Sequence, residues 1–121
     1  MDFVNKQPIY KQICDLFCEI ILRKEWRVHT EIPSVSEIAV LAEVNPNIVL
    51  RAYEYLKNHG IIYSKPDKGY FIAEQGYANT LEIRKTEFIQ KDLPDIVHTI
   101  ELIGLSVDDL IELLKKHRNQ Q

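Results

Sequence analysis

The sequence predicts a mainly α-helical fold with one small β-hairpin, because it contains two kinds of periodicity in separate stretches. Along most of the 121 residues, apolar side chains recur at spacings of three and four, which is typical of amphipathic helices. Between Gly60 and Gly76 this period gives way to two short apolar runs on either side of a turn-forming segment. The length suits one compact domain and a short appendage. We therefore predict a first domain at residues 1–76 and a helical tail at residues 77–121.

The first two helices are predicted from an apolar stripe and a capping pattern. A stripe at helical spacing runs along Pro8–Lys24. After a connector, Ser34 and Glu37 form a capping box, in which the hydroxyl accepts from the backbone N–H three residues on and the carboxylate accepts from the Ser34 N–H. This box predicts a short second helix through Ala42, with Leu41 among its apolar contacts.

A third helix is predicted from Asn45, acting as the N-cap, to a stop at Gly60, with Pro46 in its first turn. Because so few residues separate it from the second helix, the two helices must cross steeply. Such a crossing is a helix-turn-helix arrangement.

The hairpin and the tail complete the predicted fold. Strands at Ile61–Tyr63 and Tyr70–Ile72 flank a lysine-bearing turn, and a hairpin beside a helix-turn-helix is the wing of a winged helix. In the tail, helical spacing resumes at Asn79, and Pro94 predicts a kink or a break because proline removes a backbone bond and clashes with the preceding turn. A last helix begins at Ser106. The predicted fold class is therefore a winged helix-turn-helix domain followed by a C-terminal helical hairpin.

Composition and charge exclude several classes of protein. With 15 basic and 18 acidic residues, the net charge is −3, so charge alone does not indicate nucleic-acid binding. Any positive surface must then be concentrated on one face. No apolar run approaches the roughly 20 residues that cross a bilayer, and the first residues lack the pattern of a signal peptide. We expect a cytoplasmic protein without a membrane partner.

No combination of residues predicts catalysis, a cofactor or a metal site. We find no Ser/His/Asp or Cys/His set with a supporting motif and no phosphate-binding loop, so we predict that the protein is not an enzyme. Cys14 and Cys18 share a face of the first helix, which suggests either a metal half-site or redox sensor, or two buried small hydrophobic residues. A structural zinc site has about four ligands, and the histidines are not spaced as metal-ligand pairs with each other or with the cysteines. We therefore favour the second interpretation.

Four ordered segments carry a family resemblance: Pro8–Ile13, Ile32–Ala39, Val44–Tyr53 and Lys68–Ile72. With them, the chain resembles the GntR family of bacterial winged-helix transcription regulators over about residues 8–73. Its short two-helix tail resembles the YtrA subfamily. The resemblance implies a homodimer, joined through the tail, that binds a palindromic operator in double-stranded DNA, usually as a repressor.

The chain departs from the family pattern at three places where members commonly touch DNA. Ser36 replaces a usual arginine, Ile48 a usual threonine, and Asp67 the first glycine of the wing tip. The first two changes remove hydrogen-bond donors, and the third adds a negative charge near the expected phosphates. These departures motivate an alternative function, a winged-helix protein-interaction or assembly module with weak or lost DNA binding.

Candidate DNA contacts follow from the helix-turn-helix, whose second helix enters the major groove with its N-terminal turns while helix ends and the wing contact the backbone. Arg51 matches the family motif and is the first candidate for a guanine edge or a phosphate; the alternative is a solvated surface arginine. The full candidate set is Ser34, Ser36, Asn45, Asn47, Ile48, Arg51, Lys65, Lys68 and Gly69.

Several of these candidates have a structural interpretation beside the functional one. Asn45 acts either as an N-cap alone or also as a DNA contact. Lys65 and Lys68 either meet phosphates or belong to a solvated turn. Ile48 and Leu50 either pack on a thymine methyl, which would favour an A·T-rich half-site, or fill the interface between the helices.

The tail has about 45 residues, too few to form a core of its own. We predict that a twofold partner buries its apolar stripe; the alternative is that the tail folds back on its own winged helix. The candidate dimerisation residues, named here the tail stripe, are Phe88, Leu93, Ile96, Val97, Ile100, Ile103, Leu110, Ile111 and Leu114. Two short helices hardly enclose a pocket of several hundred cubic ångströms, so we expect no dedicated metabolite-binding domain and leave open whether an effector exists.

Overall fold

The computed structural model describes residues 7–120, so the first six residues of the predicted 1–76 domain and the last residue of the predicted 77–121 tail lie outside it. Within these residues, the helices and strands follow in the order α1 (Ile9–Leu22), α2 (Val35–Ala42), α3 (Pro46–Asn58), β1 (Ile62–Lys65), β2 (Gly69–Ile72), α4 (Gly76–Glu87), α5 (Leu93–Ile103) and α6 (Val107–Asn119). A π-helical turn, Phe88–Asp92, precedes α5. The predicted mainly α fold with a hairpin wing is confirmed.

The chain divides into two compact units, one that ends at Ile83 and one that starts at Arg84. The predicted domain boundary between residues 76 and 77 stays a prediction. None of the described helices combines the length and the apolar character needed to cross a membrane.

The core of the first unit lies between α1, α3 and the hairpin, and Tyr53 is at its centre. The Tyr53 ring meets Phe17 at 5.6 Å and Tyr70 at 4.8 Å between centroids, edge to face in both cases. Its hydroxyl donates a hydrogen bond to the Pro33 carbonyl. Burial, helped by the charge of Glu37, raises the pKa of Tyr53, so the phenol remains a donor across the physiological pH range.

Cys14 and Cys18 are both buried in this core as thiols. The Cys14 Sγ lies 3.5 Å from the Ala52 carbonyl oxygen, which ties α1 to α3. Their burial supports the interpretation of the two cysteines as small hydrophobic residues. Across residues 7–120, no group of three or more histidine, cysteine or acidic side chains is arranged to hold a metal ion.

The helix-turn-helix is built by two caps and one left-handed residue. The predicted capping box is confirmed: Ser34 Oγ accepts from the Glu37 N–H at 3.1 Å, and Glu37 Oε1 accepts from the Ser34 N–H at 3.0 Å. Helix α2 ends at Ala42, and the next residue, Glu43, has a φ of 55° that turns the chain into α3. The predicted contact of Leu41 is wrong, since its side chain is 77% exposed. Leu41 lies two residues beyond the buried Ala39, and therefore on the opposite side of the helix.

The wing is hydrogen-bonded along both edges of β2. On one edge, β1 pairs with it antiparallel, from Ile62 opposite Ile72 to Lys65 opposite Gly69. On the other edge, the connector before α2 joins it, with the Ile72 N–H donating to the Thr30 carbonyl at 3.0 Å. The base of the wing is thereby anchored to the helical core.

Helix α4 begins three residues earlier than predicted, at Gly76 instead of Asn79. Gly76 is buried so closely that a Cβ there would lie 2.7 Å from the Ile61 carbonyl oxygen. Thr80 Oγ1 donates to the Gly76 carbonyl at 2.7 Å, and Asn79 Nδ2 donates to the Gly60 carbonyl at 2.9 Å. The contacts of Gly76 with Ile61 and of Asn79 with Gly60 join α4 to the segment before β1 and fix the helix start. The apolar spacing of the sequence does not reveal these two contacts.

In the second unit, the helical backbone is not broken at Pro94, because a π-helical turn leads directly into α5 and Pro94 lies in the first turn of that helix. The predicted kink or break takes the form of this π-helical turn. Gly104, at φ 74°, ends α5, and a capping box between Ser106 and Asp109 begins α6. The Ser106 N–H donates to the Asp109 carboxylate and lowers its pKa, while the Ser106 hydroxyl accepts from the Asp109 N–H. No residue of the tail stripe is buried within the described part of the chain.

Candidate DNA-binding surface

The N-terminal turn of α3 presents polar groups and one core-facing apolar residue. Asn45 acts as the N-cap, since its Oδ1 accepts from the Asn47 N–H at 2.8 Å, and both asparagines are exposed. Ile48 is half-buried and packs against the core, as expected if it fills the interface between the helices. Leu50 is 39% exposed. The cap predicted for Asn45 is confirmed, and its contact with DNA stays a prediction.

Arg51 stacks on an aromatic ring of α1. Its guanidinium carbon lies 4.2 Å from the centroid of the Tyr10 ring, and Tyr10 in turn meets Tyr55 of α3 at 6.4 Å between centroids. A planar guanidinium that stacks by one face keeps its N–H edge for hydrogen bonding. Tyr10 was not among the predicted site residues. It is 41 positions before Arg51, and no local pattern in the sequence couples them.

The start of α2 adds two serines with different roles. Ser34 Oγ accepts from the Glu37 N–H in the capping box, so this hydroxyl already has a structural partner. Ser36 is exposed in the first turn of α2. Of the two, Ser36 has the side chain that is more accessible to a phosphate.

At the wing tip, the turn brings two lysines to the surface around an acidic residue. The Lys68 N–H donates to the Lys65 carbonyl at 3.0 Å and closes the turn. Asp67, at φ 62°, occupies a left-handed conformation that suits glycine best and that aspartate tolerates. Lys65 Nζ lies 5.1 Å from the Phe71 ring centroid. Gly69 has φ 133°, and a Cβ there would approach Glu31, so its role is to close the hairpin.

The charges of this surface balance. The stretch 34–72, which runs from α2 to the end of the wing, carries four basic and four acidic residues: Arg51, Lys57, Lys65 and Lys68 against Glu37, Glu43, Glu54 and Asp67. Long-range attraction to phosphates is therefore weak, and affinity has to come from contacts at short range. Arg51 is the best placed of the basic residues, because it lies near the N-terminal turn of α3.

Comparison with known proteins identifies the family. The sequence profile of the bacterial regulatory proteins of the gntR family matches residues 9–72, more than half of the chain. The chain belongs to the GntR family. It is 32% identical over 113 residues to the uncharacterized HTH-type transcriptional regulator YhcF of Bacillus subtilis. The alignment covers 93% of this chain and 92% of YhcF.

Two further relatives extend the similarity of this GntR-family chain beyond the winged helix. The HTH-type transcriptional repressor YtrA of Bacillus subtilis is 30% identical over 112 residues, with 93% of this chain and 85% of YtrA covered. The crystal structure of a regulator assigned to the GntR family from Bacteroides thetaiotaomicron superposes with a TM-score of 0.77 at 31% identity, over 94% of this chain and 99% of that one. The resemblance to YtrA predicted from the sequence is confirmed, and it includes the tail.

Membership in the GntR family makes this chain a DNA-binding transcription regulator and not an enzyme. The matched residues 9–72 contain the helix-turn-helix, the wing and the Tyr10 ring that stacks on Arg51. The DNA-binding function predicted from the sequence is therefore confirmed at the level of the family.

Proposed function

We propose that this GntR-family regulator is a homodimeric repressor that acts in the cytoplasm on a palindromic operator. The observation that carries the proposal is the tail stripe. Seven of its nine residues are more than one third exposed, while Ile100 and Leu110 are half-buried. Monomeric soluble proteins rarely leave so much contiguous apolar surface in contact with water.

The spacing of the tail stripe favours a helical partner. On α5, the residues Leu93, Ile96, Val97 and Ile100 recur at three and four, and on α6 the residues Leu110, Ile111 and Leu114 do the same. Such faces are buried by packing against other helices. A second copy of the chain supplies the same faces through a twofold axis, which is the commonest symmetry of soluble oligomers. The similarity to YtrA, which is named a repressor, extends over this region.

A twofold dimer determines how the proteins would lie on DNA. The two α3 helices would enter successive major grooves about 34 Å apart, on one side of the duplex. Arg51 and Asn47 would contact base edges at the N-terminal end of α3. Ser36, Lys65 and Lys68 would contact the backbone on either side. Repression would follow from occupation of the promoter.

Selection of bound duplexes from a random pool, at about 150 mM salt with competitor DNA, tests the operator. We expect an inverted repeat whose half-sites are centred one helical turn apart. Light scattering of the same sample should give the mass of two chains at micromolar concentration. Enrichment of a single asymmetric half-site, or the mass of one chain, would contradict the proposal.

A further inference from the structure

A cleft of about 370 Å³ opens in the first unit, outside the helix-turn-helix and the wing tip. It lies between the C-terminal end of α1, the connector that follows, the last residue of β2 and the first turn of α4. Its volume falls at the lower end of the range of small-molecule sites, about 300–1,000 Å³. None of its lining residues is among the candidate DNA contacts.

The lining of the cleft is mainly apolar and partly rigid. Ile21 and Ile72 belong to the buried core and form its inner side. Trp26 forms one wall and is held from behind by Phe17, with the two rings edge to face at 5.0 Å and 89°. Val28 is 46% exposed and lies at the outer side. The apolar walls of the cleft are therefore preorganised, so they need little rearrangement when an apolar group binds.

Two cations and no carboxylate line the cleft. Lys24 Nζ lies 5.2 Å above the ring of Tyr77, and Arg27 is the second basic residue. No acidic side chain is among the described residues that line it. In a chain whose net charge is −3, this cleft carries two positive charges beside apolar walls. Its electrostatic complement is an anion with an apolar body.

We propose that this cleft binds a small organic carboxylate whose body is aromatic or branched aliphatic. The carboxylate is held by Lys24 and Arg27, the latter by two parallel hydrogen bonds that a guanidinium suits. The body packs against Trp26, Val28 and Ile72. The site lies within the first unit, so it needs no dedicated metabolite-binding domain.

The cleft shares residues with the base of the wing, where the hairpin is anchored to the helical core. Ile72 lines the cleft. It also belongs to the wing, because its N–H donates to the Thr30 carbonyl and it pairs with Ile62 of β1. Val28 is followed directly by the connector residues that pair with β2. A ligand against these two side chains acts on the position of the wing, and would therefore change operator affinity. This second step rests on the proposed function.

The single tryptophan of the chain provides the test. Three carboxylates of increasing size, 4-methylpentanoate, 3-phenylpropanoate and 4-phenylbutyrate, are titrated into the full-length protein, each beside its neutral amide. The readout is the indole N–H resonance of Trp26 in a ¹H–¹⁵N spectrum. We expect at least one acid to shift it with a Kd below about 1 mM, and the corresponding amide to bind at least tenfold more weakly.

The double variant Lys24→Gln/Arg27→Gln should weaken binding of the acid at least tenfold. Lys115→Gln/Lys116→Gln removes the same charge from α6, outside the cleft, and should bind like the wild type. Three results overturn the proposal: no shift with any acid up to about 10 mM, equal binding of acid and amide, or unchanged binding by the cleft variant.

Two other occupants give distinct results, and either would overturn the proposal. If a second copy covers the cleft, the Trp26 resonance depends on protein concentration and not on the acids. If DNA phosphates occupy it, the cleft variant loses operator affinity and salt dependence while the acids have no effect. The titration contains no DNA, so acid binding without a selected operator would refute only the proposed function. Acid binding that leaves operator affinity within twofold would refute only the coupling to the wing.

Discussion

Replacement of Tyr10 by leucine tests whether the ring on α1 orients Arg51 for DNA binding. The guanidinium carbon lies 4.2 Å from the ring centroid at the protein surface. A cation–π contact at an exposed site contributes about 0.5–1 kcal/mol. Without the ring, Arg51 must be ordered when DNA binds, so the Kd for the operator should rise about two- to fivefold.

A double-mutant cycle measured by fluorescence anisotropy isolates this coupling. Arg51→Ala alone should cost about 1–3 kcal/mol of binding free energy if Arg51 contacts a base edge. In the Arg51→Ala background, Tyr10→Leu should cost nothing further, because there is no guanidinium left to orient. Tyr10→Phe keeps the ring and should bind like the wild type. Urea unfolding of each variant controls for the part of Tyr10 that packs on the core.

Two outcomes would refute this reasoning. An equal loss of affinity from Tyr10→Leu in both backgrounds would show that Tyr10 acts on DNA independently of Arg51. Wild-type affinity for Tyr10→Leu would show that the stacking does not contribute to binding at all.

Three further predictions concern the wing, the helix-turn-helix turn and the tail. Asp67→Asn keeps a residue that tolerates φ 62° but removes a negative charge at the wing tip. Operator affinity measured by anisotropy should therefore rise, and the gain should be larger at low salt. A gain that is independent of salt concentration would contradict this explanation. Glu43→Gly relieves a left-handed φ of 55° and should raise the free energy of unfolding in urea by about 0.5–1 kcal/mol, whereas Glu43→Ala should give no gain. Ile96→Glu places a charge in the tail stripe and should yield monomers in light scattering; Leu102→Glu, at a position that is 72% exposed and off the stripe, should leave the dimer intact, and equal effects of both would count against the stripe as the interface.

The parts of the fold that local chemistry determines could be predicted from the sequence. The capping box of Ser34 and Glu37 needs only two residues three positions apart, and the N-cap of Asn45 needs only its own side chain and a nearby N–H. Likewise, Pro94 cannot donate a backbone hydrogen bond wherever it is placed, so an irregularity of the helix near it was expected, and the structure has a π-helical turn there. Signals of this kind act within one helical turn and do not depend on the rest of the fold.

Features that depend on contacts between distant segments could not be predicted. Helix α4 starts at Gly76 because that residue packs against the Ile61 carbonyl, which the apolar period of the tail does not encode. The exposure of Leu41 depends on which side of a two-turn helix faces the core. For the candidate site, the sequence motif was enough to select Arg51 on α3 as a candidate DNA contact. Its stacking on Tyr10 could not be predicted, because it arises only when α1 and α3 pack together.

The exposed tail stripe has a consequence for how the regulator responds to its own abundance. When the DNA-binding form is a pair of chains, its concentration depends on the square of the chain concentration below the dimer dissociation constant. A modest change in synthesis or degradation of the chain then produces a steeper change in promoter occupancy. The packing of a few leucine and isoleucine side chains in α5 and α6 would thus set the copy number at which the DNA site becomes occupied.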